Sequence, residues 1–120
     1  SYESNEEKIF VMADRDQFVR VFNNLLKNAI QSIPQGRDAE IDIRTMVEND
    51  TINITFSDNG IGIEESKRAK IFVPYFTTKS TGTGLGLAMV KQIIENHRGQ
   101  ITFESTEDVG TTFHIVLPLA

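Results

Sequence analysis

The sequence predicts an α+β domain in which helices cover one face of a mixed, mostly antiparallel β-sheet. Two segments repeat apolar residues at three- and four-residue spacing, which is typical of amphipathic helices. The remaining segments alternate apolar and polar residues, which is typical of half-buried strands. The order of these elements is strand, helix, two strands, helix, two strands. This order predicts a two-layer α/β sandwich.

Length and composition indicate one globular domain over residues 1–120. The chain is 39% hydrophobic and contains no cysteine, which excludes a disulfide framework and a thiolate zinc site. Its formal net charge is −5 and its basic residues are scattered, so we expect no nucleic-acid ligand. No apolar run approaches the roughly 20 residues of a membrane span. We expect a cytoplasmic domain without direct membrane contact, in which residues 1–7 are a tether or a truncated strand.

The first half of the chain predicts a strand at residues 8–12 followed by a long helix. Asp14 is suited to cap this helix, with Gln17 three residues later as in a capping box. The predicted core face contains Phe18, Phe22, Leu25, Leu26, Ala29 and Ile33. The opposite face contains Gln17, Arg20, Asn24, Asn28 and Gln31. Pro34 and Gly36 end the helical pattern.

Two alternating segments, residues 41–47 and 51–57, predict a hairpin after this helix. Residues 48–50 have the composition of a turn. Because side chains alternate along a strand, Ile52, Ile54 and Phe56 are expected to face the core together.

The second half of the chain predicts a short helix at residues 65–72 and a longer helix at about 84–97. Gly99 follows the longer helix, where a glycine commonly ends a helix in the left-handed conformation. Residues 101–104 and 111–117 again alternate, and they predict a final hairpin.

The glycines suggest a ligand site. Five of the eight lie between positions 60 and 86, within residues 58–62 and 82–86. Such concentration favours backbone that adopts positive φ or approaches a ligand closely. The second group precedes a predicted helix, whose N-terminus could hold phosphate, although a simple turn and cap would explain it equally well. A P-loop is excluded because no Gly-Lys-Ser/Thr follows, and the dinucleotide fingerprint lacks its third glycine.

Three polar residues are candidates for ligand contacts. Asp58 ends a predicted strand, where a carboxylate can accept from an exocyclic amine such as adenine N6, although an Asx-turn is the commoner role. Asn24 and Asn28 lie one turn apart on the predicted helix, where asparagine is unfavourable. Asn28 offers an oxygen ligand suited to Mg²⁺, although plain surface polarity would explain either asparagine alone.

Four ordered motifs resemble the GHKL family of ATPases and histidine kinases. Asn-Leu-Leu-Lys-Asn-Ala at 24–29 resembles its N box, and Asp-Asn-Gly-Ile-Gly at 58–62 its first glycine box. Phe-Val-Pro-Tyr-Phe at 72–76 resembles the F box, and Gly-Thr-Gly-Leu-Gly-Leu at 82–87 the second glycine box. Residues 110–118 resemble the closing strand of the same domain. The resemblance implies a Bergerat-type ATP-binding fold.

The resemblance also implies roles for individual residues. Asp58 would bind adenine N6 with a water shared with Thr111, and Asn28 would ligate Mg²⁺ with Asn24 in support. Residues 72–83 would form a lid over ATP, in which Lys79 would contact the γ-phosphate. The implied catalytic residues are Asn24, Asn28 and Lys79. The implied nucleotide-binding residues are Asn24, Asn28, Asp58, Gly60, Gly62, Ile63, Phe76, Lys79, Gly82, Thr83, Gly84, Leu85, Gly86, Leu87 and Thr111.

Residues 28–31 and 74–79 resemble the nitrogen-regulation type of sensor histidine kinase, with two departures from the wider family. Gln31 stands where many histidine kinases have Lys or Arg. Arg98 stands between His97 and Gly99, where the family usually has glycine.

The position of Asn24 distinguishes among the relatives. In type II topoisomerase ATPases and in serine kinases that inactivate sigma factors, this position is a glutamate that acts as general base. An amide cannot accept a proton at neutral pH, so ATP hydrolysis is disfavoured. The resemblance therefore implies transfer of the γ-phosphoryl group to a histidine on a separate dimerisation domain, with a response regulator downstream. A GHKL-type ATPase, an anti-sigma serine kinase and a nucleotide-binding regulatory module are the alternatives.

The resemblance places dimerisation and the phosphoacceptor histidine outside these 120 residues, because neither His97 nor His114 lies in a phosphoacceptor helix. We therefore expect this chain to be a monomer with little turnover alone. Whether the parent protein is anchored in the inner membrane is left open.

Overall fold

The computed structural model describes residues 15–74 and 86–118, which form two helices, one 3₁₀ helix and a four-stranded sheet. The elements in chain order are α1 (Arg15–Ser32), β1 (Ile41–Glu48), β2 (Thr51–Asp58), the 3₁₀ helix (Glu65–Lys70), α2 (Gly86–Asn96), β3 (Gln100–Thr106) and β4 (Gly110–Pro118). The strand expected at residues 8–12 lies outside the described residues. Within the described residues, no helix is long and apolar enough to cross a membrane.

The sheet has the strand order β1-β2-β4-β3, and each of these pairings is antiparallel. Ile54 lies opposite Ile115, and Phe56 lies opposite Phe113. Because opposite residues in an antiparallel pair point to the same face, the apolar side chains of β2 and β4 form one continuous surface. Both helices pack on that surface, which confirms the predicted two-layer α+β architecture and both hairpins.

α1 packs on the sheet through Phe18, Val21, Leu25 and Ala29, which are buried at three- and four-residue intervals. Leu26 was predicted to belong to this face, but it is 37% exposed, whereas Val21 is fully buried. Successive helix residues are about 100° apart, so Leu26 points past the edge of the contact that Leu25 makes.

The 3₁₀ helix is shorter than the predicted helix at 65–72, because residues 71 and 72 turn into the core. Ile71 is buried, and the Phe72 ring lies 5.9 Å from the Phe103 ring and 6.4 Å from the Phe113 ring, both edge-on. The Lys91 ammonium lies 5.2 Å from the Phe72 ring centre. These contacts attach the start of the segment after the 3₁₀ helix to α2 and the sheet.

α2 ends in a Schellman motif, but its left-handed residue is Arg98 and not the predicted Gly99. Arg98 has φ 63° and donates to the Glu95 carbonyl at 3.0 Å, while Gly99 donates to the Ile94 carbonyl at 2.9 Å. Gly99 is required for packing instead, because a Cβ there would lie 2.6 Å from the Val116 carbonyl oxygen.

We expect Arg98→Gly to stabilise the domain by roughly 1 kcal/mol, because glycine adopts positive φ without the penalty of a side chain. The gain is smaller than the full left-handed penalty, since glycine also raises the entropy of the unfolded chain. Urea unfolding followed by circular dichroism measures the change. Arg98→Ala removes the long side chain but keeps a Cβ, and with it the energetic cost of the left-handed conformation, so it should not stabilise the domain. If Arg98→Ala stabilised the domain as much as Arg98→Gly, the positive φ would not be the cause.

Candidate functional site

The candidate site lies at the end of the sheet where β2 finishes at Asp58. Asp58 is directly opposite Thr111 in the register of β2 and β4, so both side chains point to the face that carries the helices. Residues 59–63 then cross this end of the sheet as a loop. The site is therefore built from two adjacent strand ends and one connecting loop.

One oxygen of the Asp58 carboxylate is used to hold the backbone. Oδ1 accepts from the Gly60 amide at 2.9 Å and from the Thr111 amide at 3.3 Å. The first contact is the Asx-turn expected of an Asp-Asn-Gly sequence. Oδ2 has no hydrogen bond among the described residues and remains available as an acceptor. The Asp58 side chain can therefore hold the turn with one oxygen and accept a hydrogen bond from a ligand with the other.

Arg37 holds the outer part of the loop from the connection between α1 and β1. Its Nη1 donates to the carbonyl of Asn59 at 2.7 Å and to that of Gly60 at 3.1 Å. The Asn59 side chain in turn donates to the Asp38 carbonyl and accepts from the Glu40 amide, both at 2.8 Å. Sequence reasoning missed Arg37, because its partners lie more than 20 residues away and no local pattern marks them.

Ser105 and Arg68 hold the inner end of the loop. The Ser105 Oγ accepts from the Ile63 amide at 2.8 Å. Arg68 donates to the Ile63 carbonyl at 3.2 Å through Nε and to the Ser105 carbonyl at 2.8 Å through Nη2. Sequence reasoning also missed these two residues, which join the 3₁₀ helix and β3 to the loop.

The glycines of the loop are required by contacts within the protein. Gly62 has φ 73°, and a Cβ there would collide with the Thr106 carbonyl. A Cβ on Gly60 would collide with the Ser32 side chain. Close approach to a ligand, which the glycine spacing suggested, is therefore not needed to explain either residue. Both predicted site residues nevertheless lie beside Asp58 in the loop.

Asn24 and Asn28 lie one turn apart on α1, and both are half-buried. The Asn24 Nδ2 donates to the Arg20 carbonyl at 2.7 Å. Its Oδ1 would lie 2.8 Å from a Cβ placed on Gly86, the first residue of α2. The Asn24 side chain therefore lies against the N-terminus of α2, where only a glycine leaves it room.

The structure brings together part of the predicted site. The described members are Asn24, Asn28, Asp58, Gly60, Gly62, Ile63, Gly86, Leu87 and Thr111. Asp58, the loop and Thr111 form one end of the sheet, while Gly86 stands against Asn24 where the two helices approach. The other predicted members lie outside the described residues: Phe76, Lys79, Gly82, Thr83, Gly84 and Leu85.

The chain is similar in sequence to one family of ATP-binding domains and to several histidine kinases. The sequence profile of the histidine kinase-, DNA gyrase B- and HSP90-like ATPases matches residues 13–120. The chain is 42% identical over 109 residues to sporulation kinase E of Bacillus subtilis, covering 91% of this chain and 15% of that protein. It is 43% identical over 119 residues to the sensor histidine kinase ZraS of Salmonella typhimurium, covering 98% of this chain and 25% of that protein.

A solved structure matches over nearly the full length of both chains. The nucleotide-free catalytic domain of histidine kinase ThkA is 34% identical in sequence to this chain, and the two structures superimpose with a TM-score of 0.77. The match covers 98% of this chain and 87% of that chain. By contrast, the chain spans a quarter or less of the two curated kinases. The chain belongs to the histidine kinase-, DNA gyrase B- and HSP90-like ATPase family, as a catalytic ATP-binding domain of the sensor histidine kinase type.

Proposed function

We propose that this domain binds ATP with Mg²⁺ and transfers the γ-phosphoryl group to a histidine on a separate dimerisation domain in two-component signalling. The observation that carries the proposal is the Asp58 carboxylate, in which one oxygen fixes the loop and the other is available to a ligand. Asp58 would bind the adenine, with the loop at 59–63 and Thr111 beside it.

Adenine suits this arrangement because its exocyclic N6 amine donates hydrogen bonds and a carboxylate only accepts them. The available Oδ2 of Asp58 would receive N6. The loop that carries Gly60 and Ile63 is held at both ends, by Arg37 and by Ser105, so the acceptor keeps its position before a ligand arrives. Preorganisation of this kind reduces the entropy that binding costs.

The phosphates would lie toward the N-terminus of α2, where Gly86 and Leu87 begin the helix. The first turn of a helix carries unpaired amides and a partial positive charge, both of which favour phosphate. The second glycine box, residues 82–87, and Lys79 would complete this site.

Asn28 would hold Mg²⁺ through its side-chain oxygen. Mg²⁺ commonly takes one or two protein oxygens and completes its shell with phosphate oxygens and water, which one amide oxygen fits. When bound, the ion neutralises part of the phosphate charge. Asn24, one turn earlier, would support the site by keeping α1 and α2 at their observed separation.

Transfer to an imidazole is favoured over hydrolysis because Asn24 supplies no general base. Its Nδ2 is already donating to the Arg20 carbonyl, and an amide cannot take a proton from water at neutral pH. In the transfer, an imidazole nitrogen of the acceptor attacks the γ-phosphorus, and a nitrogen–phosphorus bond forms. The bond to the β,γ-bridging oxygen breaks, and ADP leaves with its electron pair. The domain contributes positioning and charge neutralisation.

The proposal places the acceptor histidine on the kinase's own dimerisation domain and the next acceptor on a response regulator. It treats this domain as a cytoplasmic monomer.

The test is to mix the chain with radiolabelled ATP and a separately produced segment that carries the acceptor histidine. Label that is lost in acid and stable in base supports phosphohistidine, whereas acid-stable phosphoserine would support the anti-sigma kinase alternative.

We expect Asn28→Ala to abolish the effect of Mg²⁺ on ATP binding while leaving most of the metal-free affinity. The substitution removes the proposed metal ligand and leaves the loop beside Asp58 unchanged. Calorimetric titration with ATP, in Mg²⁺ and in EDTA, measures the difference. Asn23→Ala is the matched control, because Asn23 is exposed on the same helix. A Mg²⁺ effect of wild-type size in Asn28→Ala would refute the metal assignment.

A further inference from the structure

The face of the sheet that carries the helices is left uncovered along β1. Ile43 lies opposite Phe56 in the register of β1 and β2, and Val47 likewise lies opposite Ile52. Opposite residues point to the same face, so both β1 side chains share the face of the buried core. Ile43 is nevertheless 46% exposed, and Val47 is 42% exposed. Among the described residues β1 pairs only with β2, so its outer edge offers backbone groups that β2 does not use.

The flank of α1 that faces β1 is also apolar. The Asn24 side chain lies against Gly86, the first residue of α2, and marks the flank of α1 that faces the second helix. Val19, Leu26 and Ile30 lie on the other side of the buried stripe, about 120–160° around the helix axis from Asn24. Because α1 packs on β2 and α2 packs on β3, this flank is turned toward β1. The exposed apolar residues of α1 and β1 together form an apolar trough: Val19, Leu26, Ile30, Ile43 and Val47.

α1 runs from the hairpin end of the sheet toward the end that carries the candidate site. Its last carbonyl, that of Ser32, accepts from the Ile61 amide at 2.9 Å. Ten residues earlier, the Phe22 ring packs on the Phe56 ring of β2, with 5.3 Å between the ring centres. Arg15 begins the helix about 10 Å further back along its axis. The chain therefore enters α1 from the direction of the turn that joins β1 to β2.

We propose that residues 8–12 fill the apolar trough as a fifth strand, parallel to β1 and paired with its outer edge. Their sequence, Lys-Ile-Phe-Val-Met, is rich in strand-forming residues, and only two residues separate it from α1. A strand that ends where α1 begins must run toward the hairpin, as β1 does. The new strand, α1 and β1 then form a β-α-β unit, which is the usual connection between parallel strands.

Alternation along the strand assigns its two faces. Lys8, Phe10 and Met12 share one face, and Ile9 and Val11 share the other. A lysine is rarely buried without a partner, so Ile9 and Val11 face the trough. The short connection to α1 keeps this segment at a high effective concentration, so it occupies the edge of β1 in preference to a second copy of the chain.

Amide hydrogen exchange of the 120-residue chain, followed by NMR without nucleotide, tests the pairing. The β1 amides that point away from β2 should exchange at least about 100-fold more slowly than in an unfolded chain. Backbone nuclear Overhauser contacts should join residues 8–12 to β1. Unprotected outward amides overturn the inference. Protection that disappears on dilution also overturns it, because a second copy would then cover the edge.

Val11→Asp should speed exchange of the outward β1 amides at least about tenfold, because it places a charge in the apolar trough. Phe10→Asp is the matched control, since it makes a similar change on the face turned away from the trough, and it should alter these rates less than about threefold. Equal effects of the two substitutions overturn the inference.

The amides that bond β1 to β2 should stay protected in both variants, which separates loss of the added strand from unfolding of the domain. If Val11→Asp fails to fold, the contacts between residues 8–12 and β1 in the wild-type chain decide the question, and their absence overturns the inference. Because no nucleotide is used, a failure of the proposed ATP binding leaves this test unaffected.

Discussion

Asp58→Asn should weaken binding of ATP or a non-hydrolysable analogue at least about 100-fold, or roughly 3 kcal/mol. Asparagine keeps an oxygen at Oδ1 that accepts from the Gly60 and Thr111 amides, so the loop keeps its shape. At the second position an amine replaces the carboxylate oxygen. A donor would then face the adenine N6 donor, and a charge-assisted hydrogen bond would be lost. Calorimetry of the purified variant measures the effect.

Asp50→Asn is the matched control for this substitution. It makes the same change of charge at the opposite end of β2, where Asp50 is exposed in the hairpin turn. It should bind nucleotide with wild-type affinity, and both variants should unfold at wild-type urea concentrations. If Asp58→Asn bound ATP as tightly as the control, the assignment of Asp58 to adenine would be wrong.

Phe113→Ala should destabilise the domain by about 3–5 kcal/mol, the cost of removing a buried phenylalanine ring from a packed core. Phe113 is 2% exposed on the central strand β4, and its ring packs on those of Phe72 and Phe103. Because a domain of this size is stable by only about 5–15 kcal/mol, a large part of its stability would be lost. Urea unfolding followed by circular dichroism gives the value.

Val109→Ala provides the comparison for Phe113→Ala. Val109 is 65% exposed in the turn between β3 and β4, so its truncation should change the unfolding free energy by about 0.5 kcal/mol or less. A loss below about 1 kcal/mol for Phe113→Ala would show that the core relaxes into the space of the missing ring.

Periodicity alone was sufficient to predict the architecture, because burial depends mainly on spacing along the chain. Ile52, Ile54 and Phe56 alternate in sequence, and all three are buried on one face of β2. The helical periodicity located α1, but it could not show which residues at the edge of its apolar face are buried. Leu26 and Val21 are equally apolar, and only the position of the sheet beneath the helix decided that Val21 is buried.

At the end of α2, the sequence likewise could not show which residue takes the left-handed backbone conformation. Gly99 was the natural candidate for the left-handed residue, since glycine is the residue that most often takes it. The structure places Arg98 there and uses Gly99 for close packing against β4. The sequence cannot show whether a glycine is needed for positive φ or for close packing, because the packing contact of Gly99 is with β4 at Val116, 17 residues later.

By itself, the sequence determined the family and the order of the elements, and it singled out Asp58 and Asn24 as candidates, because ordered motifs and local periodicity are properties of the chain. Only the tertiary structure decided how Asp58 is held and which of its oxygens is available to a ligand. The side chains that hold the loop, Arg37, Arg68 and Ser105, come from segments far apart in sequence. Their hydrogen bonds exist only once the strands pair and the loop crosses the end of the sheet.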